Sequence, residues 1–492
     1  MKSYRPYAPY QSYLLPPSPQ EWLPENHLAY FILDLVEGLD IGEIERALQR
    51  KDPRGERSYA PRMMTALLLY GYATGVFSAR RIARATVEDV AFRVLAAGEY
   101  PHFTTVNEFR AVHRVALAGL FTQVLRECQS AGLVKLGHVA IDGTKMKANA
   151  SKHKAMSYDR MQKDEARLAA EAEALLARAE AVDAEEDRLY GVGQEPQDLP
   201  AELQRREGRL AKIREVRAAL EREAAAARAA TLREQAEGLR EKAQDETRSA
   251  KQRGADATIA AKRDHQASLF DDDQDPPPAG SDDDLPRGTP PTKPDGTPKP
   301  RAQRNFTDPE SRIMFRDGAA MQAYNAQIAV DEGNQIIVAA ALSNNGADAG
   351  YFAPMLERIV TNCDAVPERV TADAGYFSAE NVRIAEHFGC EPFLSVGKHR
   401  NDGKPEELPS NYGWQSEPRR RMRAFLATPR GRAGYARRKA TVEPVFGQIR
   451  VRQRFQGVSF RGLFKNRCEW AFVCLVHNLL KLFGARRLAL AA

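Results

Sequence analysis

Val139-Ala140-Ile141-Asp142-Gly143-Thr144 is an apolar run with strand propensity that delivers one carboxylate at its end and then turns at a glycine. Two later segments complement it. Arg369-Val370-Thr371-Ala372-Asp373-Ala374-Gly375-Tyr376 is again a short apolar strand that ends in Asp and reaches Gly two residues on. Arg437-Arg438-Lys439-Ala440-Thr441-Val442-Glu443-Pro444-Val445-Phe446-Gly447-Gln448-Ile449-Arg450 is basic and carries a single acid. Two strand-end aspartates and a glutamate in a basic surround supply the oxygen ligands that hard divalent ions need and the cations that a phosphodiester needs.

Composition narrows the setting. The 492 residues suffice for two or three domains, and 43% hydrophobic with 28% charged residues describes a globular chain. Five scattered cysteines, none in a CxxC or Cys/His spacing, argue against zinc and against a disulfide framework, and fit a reducing cytosol. The N-terminus lacks a signal pattern, and the apolar stretch 471–483 is broken by His477, Asn478 and Lys481, so no membrane partner is expected. Net charge is +6, yet residues 397–467 hold 18 Lys and Arg against 5 Asp and Glu, which leaves −7 for the rest. A basic patch confined to one region is the footprint of a polyanion, most commonly nucleic acid.

Along the chain, residues 1–132 read as short helices. Pro61 starts one, Gly75 stops it, Ser78 caps a second, and Thr105-Val106-Asn107-Glu108 has capping-box spacing. Arg80, Arg81 and Arg84 on an exposed face suit DNA contact. Residues 133–157 give the first strand and a basic loop with Lys145 and Lys147. Residues 158–267 are rich in Ala, Glu, Arg and Leu, with Leu203, Leu210, Ile213, Val216 and Leu220 at helical intervals. This predicts a long coiled-coil-like helical hairpin that turns at Gly191, Gly193, Pro196 and Pro200, with Asp198 as a cap. Residues 268–304, acidic and rich in Pro and Gly, predict a disordered linker. Residues 305–492 resume a mixed pattern: a hairpin about Glu332-Gly333-Asn334, a helix, the Asp373 strand, a helix capped by Ser378, another strand, a basic loop, and a helix from about Gly434 to Ile449 kinked at Pro444.

That order resembles an RNase H-like domain, and the motif text resembles a DDE transposase of a bacterial insertion sequence, related in fold to retroviral integrases. The carriers are Asp142-Gly143-Thr144, Thr371-Ala372-Asp373-Ala374-Gly375-Tyr376 and Val442-Glu443-Pro444-Val445-Phe446-Gly447. The resemblance implies an α/β fold: an RNase H-like mixed sheet flanked by helices, interrupted by the helical-hairpin insertion and preceded by an all-α N-terminal domain that binds DNA. It also implies Asp142, Asp373 and Glu443 as catalytic residues and as ligands of two Mg2+ ions, with Mn2+ as a substitute. Tyr435, Lys439 and Arg450 fill the phenol and cation positions of the family's last motif. The spacing leaves Arg438 and Lys439 as alternatives for the phosphate contact.

The function so implied is binding of terminal inverted repeats, 3′-end cleavage by two-metal hydrolysis, and transfer to target DNA. The partner is double-stranded DNA, and the protein is expected to be a homodimer in the DNA complex, cytoplasmic and nucleoid-associated when bound. The competing readings are an RNase H-like nuclease without strand transfer and a catalytically inactive, domesticated DNA-binding protein. Trp414 suits stacking on an unpaired base or packing as a partly buried aromatic. Gln327, on a strand near the active edge, is a weaker candidate for substrate contact.

Overall fold

The computed structural model describes residues 21–50, 57–190, 201–270, 285–397 and 417–491. Trp414, the turn around Asp198 and the acidic runs Asp271–Asp273 and Asp282–Asp284 lie outside them. Among the described residues seven helices come first: α1 (Leu28–Gly38), α2 (Gly42–Gln49), α3 (Pro61–Thr74), α4 (Ala79–Glu88), α5 (Val90–Leu95), α6 (Phe103–Val112) and α7 (Arg114–Ser130). Pro61 opens α3 where a missing N–H costs nothing, and Gly75 ends it at φ 78° in the left-handed region. Ser78 takes the N-cap position of α4 without a side-chain bond. The expected capping box at Thr105 does not form. His102 takes the cap position of α6, with its ring 2.7 Å from the Thr104 hydroxyl, and Thr105 falls inside the first turn.

β1 (Val139–Lys147) follows, then β2 (Ala155–Ser157) and the insertion: α8 (Tyr158–Tyr190), α9 (Ala201–Gln244) and α10 (Ala250–Ser268). The second arm of the expected hairpin is thus two helices. Asp245 accepts from the Thr247 N–H, and Ser249 forms a capping box with Gln252. Together they end one helix and start the next, so α10 folds back on α9. Leu210, Ile213, Val216 and Leu220 close a small core against Met161, Leu168 and Ala302. Glu223 on α9 accepts from both Arg304 and Arg312, which ties the insertion to the chain that returns from it.

That return was expected to be free linker, and from residue 285 onward it is packed. Leu285 is buried, the Gly288 N–H donates to Asn344 Oδ1 at 2.8 Å, and Ser343 and Tyr351 donate to the Pro286 carbonyl. Prolines leave few donors to satisfy, and the carbonyls they leave find side-chain partners. β3 (Gln303–Asn305) then pairs with β2.

The sheet that begins with β1 is completed by β4 (Arg312–Arg316), β5 (Ala319–Asp331), β6 (Ile337–Ser343), β7 (Arg369–Ala372) after α11 (Phe352–Cys363), and β8 (Glu391–Leu394) after α12 (Ala379–His387). β1 pairs antiparallel with β5 over its whole length and parallel with β7; β6 and β4 pair in line along the far side of β5, and β8 runs parallel to β7. The order β6-β5-β1-β7-β8 is the mixed sheet expected of an RNase H-like domain. The β4–β5 hairpin was not anticipated, although Asp317 (φ 51°) and Gly318 (φ 76°) form the tight turn that an Asp-Gly pair favours.

α13 (Glu417–Ala427), α14 (Pro429–Thr441), α15 (Glu443–Gly447) and α16 (Leu463–Ala491) complete the chain. α11 and α16 pack on β6, α12 and α13 on β8, and α14 on β1, β7 and β8. α16 is long and apolar enough to cross a membrane by length and composition, but 72% of its apolar window is buried inside the protein, against β6, α7 and α3. One apolar core therefore runs from the N-terminal helices to the sheet. The helical region before residue 132 is docked by that shared core rather than hung on a tether.

Candidate active site

The expected turn at Gly143 does not form, since β1 runs on through it to Lys147 paired with β5, and the parallel register Ile141↔Ala372 places Asp142, within β1, beside Asp373, the residue that follows β7. Asp142 lies with its side chain only 15% exposed, accepting from the Gly143 N–H through Oδ1 (2.8 Å) and from Arg438 Nη1 through Oδ2 (2.7 Å). Burial raises its pKa from 3.8 to about 6, against the opposing pull of Arg438, and the neighbouring charge of Asp373 adds to the rise. Desolvation therefore outweighs the ion pair, which marks a carboxylate short of positive charge. Asp373 Oδ1 accepts from the Gly375 N–H at 2.8 Å, a turn that fixes the carboxylate at the strand end.

Arg438, on α14, is the cation that meets these acids. Its Nη2 also donates to Glu443 Oε1 at 3.4 Å. Burial alone would lower its pKa, but Asp142, Tyr435, Asp373 and Glu443 together hold it above the ordinary arginine value. Geometry separates Arg438 from Lys439: Lys439 faces solvent, and Arg438 lies between two acids with Tyr435 beside it, 6.0 Å from guanidinium to ring centroid. Glu443 does not join the two aspartates in one pocket as expected. The helix breaks at Val442, Glu443 opens the short α15 with its side chain 49% exposed, and the guanidinium stands between it and Asp142. Three carboxylates repel one another, and one arginine fork relieves two of them.

Arg450 lies in the π-helical turn after α15 and donates to the Thr144 hydroxyl, two residues beyond Asp142. Its pKa is lowered by burial and by nearby Arg316, whose Nη1 donates to the Lys145 carbonyl at 3.0 Å. The β4–β5 hairpin thus curls over β1 and adds a second arginine beside Arg450. Lys147 is exposed. Lys145 is less free than expected, because its Nζ is held by the Gly346 carbonyl (2.9 Å) and by Asp348 Oδ1 (3.3 Å).

Asp348 was missed by sequence reasoning. It ends the polar run Asn344-Asn345-Gly346-Ala347-Asp348, which carries no motif. Its Oδ1 accepts also from Asn325 Nδ2 (2.7 Å) and Gln327 Nε2 (3.0 Å). Gln327, expected near substrate, is fully buried, and Tyr376 donates to its Oε1. The Tyr376 phenol is pushed well above its ordinary pKa by burial and by Asp348, Asp142 and Asp373, so it keeps its proton and donates. Arg80, Arg81 and Arg84 lie apart on α4, which packs against α3, α5 and α6. All three are exposed, Arg80 over the Phe103 ring (4.8 Å) and Arg84 paired with Glu88 (2.8 Å).

Among the described residues, no group of three or more His, Cys, Asp or Glu is drawn together closely enough to hold an ion. The donors nevertheless suit one. Asp142, within β1, and Asp373, just past the end of β7, would present carboxylate oxygens from adjacent strands, and for Asp142 burial outweighs the ion pair.

Residues 400–483 match the family model described as Transposase DDE domain, and residues 17–112 match Transposase domain (DUF772). Glu443, Arg438 and Arg450 fall within the first match, and Asp142 and Asp373 within neither. No curated protein and no solved structure gives a significant match. Two transposase-domain matches at opposite ends of one chain, with the mixed sheet between them, support a DDE transposase of the insertion-sequence type.

Proposed function

We propose that this transposase binds the terminal inverted repeats of its element as a homodimer, cleaves the 3′ ends and joins them to target DNA. The observation that carries the reading is the side-by-side placement of Asp142 and Asp373 with Arg438 bridging to Glu443. Asp142, Asp373 and Glu443 would hold two divalent ions, Mg2+ by preference, which supply a lowered pKa for the attacking water and charge neutralisation at the leaving oxygen. The chain's own groups do the rest. Arg450, its pKa lowered by burial and then by Arg316, forms with Arg316 a positive rim that a phosphate would relieve. Arg438 balances the acids and turns its remaining donors to the same phosphate, and Lys147 is exposed at the end of the strand. Arg80, Arg81 and Arg84 contact duplex flanking the cut.

The test uses full-length protein, Mg2+ and duplexes carrying the two ends of the element. Wild type should nick at the 3′ ends and yield joined products, and Glu443→Gln should do neither while still shifting the duplex in a gel. Nicking without joining would reduce the protein to a nuclease. Binding without nicking by wild type would leave a DNA-binding protein.

A further inference from the structure

Gln327 crosses the floor between the two aspartate-bearing segments. In the antiparallel register of β1 and β5 it lies opposite Gly143, the residue after Asp142. A Cβ at position 143 would fall inside the van der Waals envelope of the Gln327 amide, so the glycine is needed for the side chain to pass. On the other side, Tyr376 of the Asp373-Ala374-Gly375-Tyr376 turn donates to Gln327 Oε1. The amide nitrogen donates to Asp348 Oδ1. The orientation of the amide follows from chemistry: Asp348 only accepts, so the nitrogen faces it and the oxygen faces the phenol. Asp348 Oδ2 in turn borders Gly375, where an added Cβ would meet it at 3.3 Å and Asp373 Oδ1 at 3.0 Å.

We infer that Gln327 is a positioning residue that fixes the distance between the Asp142 strand and the Asp373 turn, gripping the turn through Tyr376 and Asp348. It touches neither substrate nor ion. Its amide is the spacer against which both carboxylate-bearing backbones rest, and Asp348 is its anchor rather than a further ligand. The inference rests on the reading of Asp142 and Asp373 as ion ligands, and it makes their separation a property of one buried side chain.

Mn2+ affinity, measured by calorimetry on the full-length protein without DNA, reads this directly. Gln327→Met keeps the volume and removes the amide, and Tyr376→Phe removes one hydroxyl. Each should weaken Mn2+ binding by about tenfold or more, the usual scale for groups that orient metal ligands. The double variant should bind no more weakly than the worse single one, because both cut the same link. Unchanged Mn2+ affinity in a folded Tyr376→Phe protein, or additive losses in the double variant, would overturn the inference. A wild type that binds Mn2+ but leaves DNA uncut defeats the proposed chemistry alone. A wild type that cuts DNA, with Tyr376→Phe binding Mn2+ equally well, defeats the spacer alone.

Discussion

The acids of this site are held in two different ways. Asp142 lies within β1 and Asp373 directly follows β7, strands whose backbones are paired, β1 with β5 and β7, and β7 with β1 and β8. Glu443 opens a five-residue helix between a break at Val442 and a π-helical turn, and its one hydrogen-bond partner among the described contacts is Arg438 at 3.4 Å. Sheet pairing sets the first two to within the tolerance of a strand register. The third hangs on a joint that one guanidinium steadies. The sheet therefore supplies geometry, and the helix supplies adjustment.

The largest effects should come from the acids themselves. Asp142→Asn, Asp373→Asn and Glu443→Gln should each reduce end cleavage by about a thousandfold or more, with duplex binding retained in gel shifts. A strand variant that keeps activity would break the comparison at its rigid side. Next is the bridge. Arg438→Ala should cost about 3–5 kcal/mol in denaturant unfolding at neutral pH, since it strands a buried carboxylate. Lys439→Ala, at an exposed site, should stay within about 0.5 kcal/mol. Equal costs would return Lys439 to the site.

The third prediction uses pH. The folded-state pKa of Asp142, about 6, lies above its ordinary 3.8, so between those values the folded chain keeps a proton that the unfolded chain has lost. Relative to Asp142→Asn, wild type should lose about 3 kcal/mol of stability as pH rises from about 3 to about 7, most of it between the two pKa values. A difference curve of opposite slope would mean that Arg438, not burial, governs the carboxylate. The smallest effect concerns the helix that carries Arg438. Thr428 caps α14 by accepting from the Gly431 N–H at 3.0 Å. Thr428→Ala should cost about 1 kcal/mol and loosen Glu443 more than Asp142.

Much of the sheet was legible before any coordinates. Val139–Ile141 and Val370–Ala372 are apolar because each is buried within a paired strand, and that leaves a plain signature. The two aspartates follow directly, as register positions. What failed to show was set by tertiary contact. Thr105 has the spacing of a cap, yet His102 takes the position. Arg438 and Lys439 are adjacent, and only the packing of α14 on β1, β7 and β8 decides which faces Asp142. Asp348 and Gln327 belong to no motif, because their role is fixed by neighbours across strands rather than along the chain. The Pro-rich return looked unable to bury anything, and its partners, Asn344, Ser343 and Glu223, lie tens of residues away.

The placement of the insertion between β1 and β5 has a consequence during synthesis. Lys147, at the end of β1, precedes Ala319, at the start of β5, by 172 residues. At roughly 5–20 residues per second, β1 waits about 10–35 s for its first partner strand, and β7 comes later still. Over that interval the helices before and after it close on local contacts in far shorter times. A nascent chain thus carries the apolar run Val139-Ala140-Ile141 unpaired through that interval, and the strand that bears the first acid waits longest for its partner.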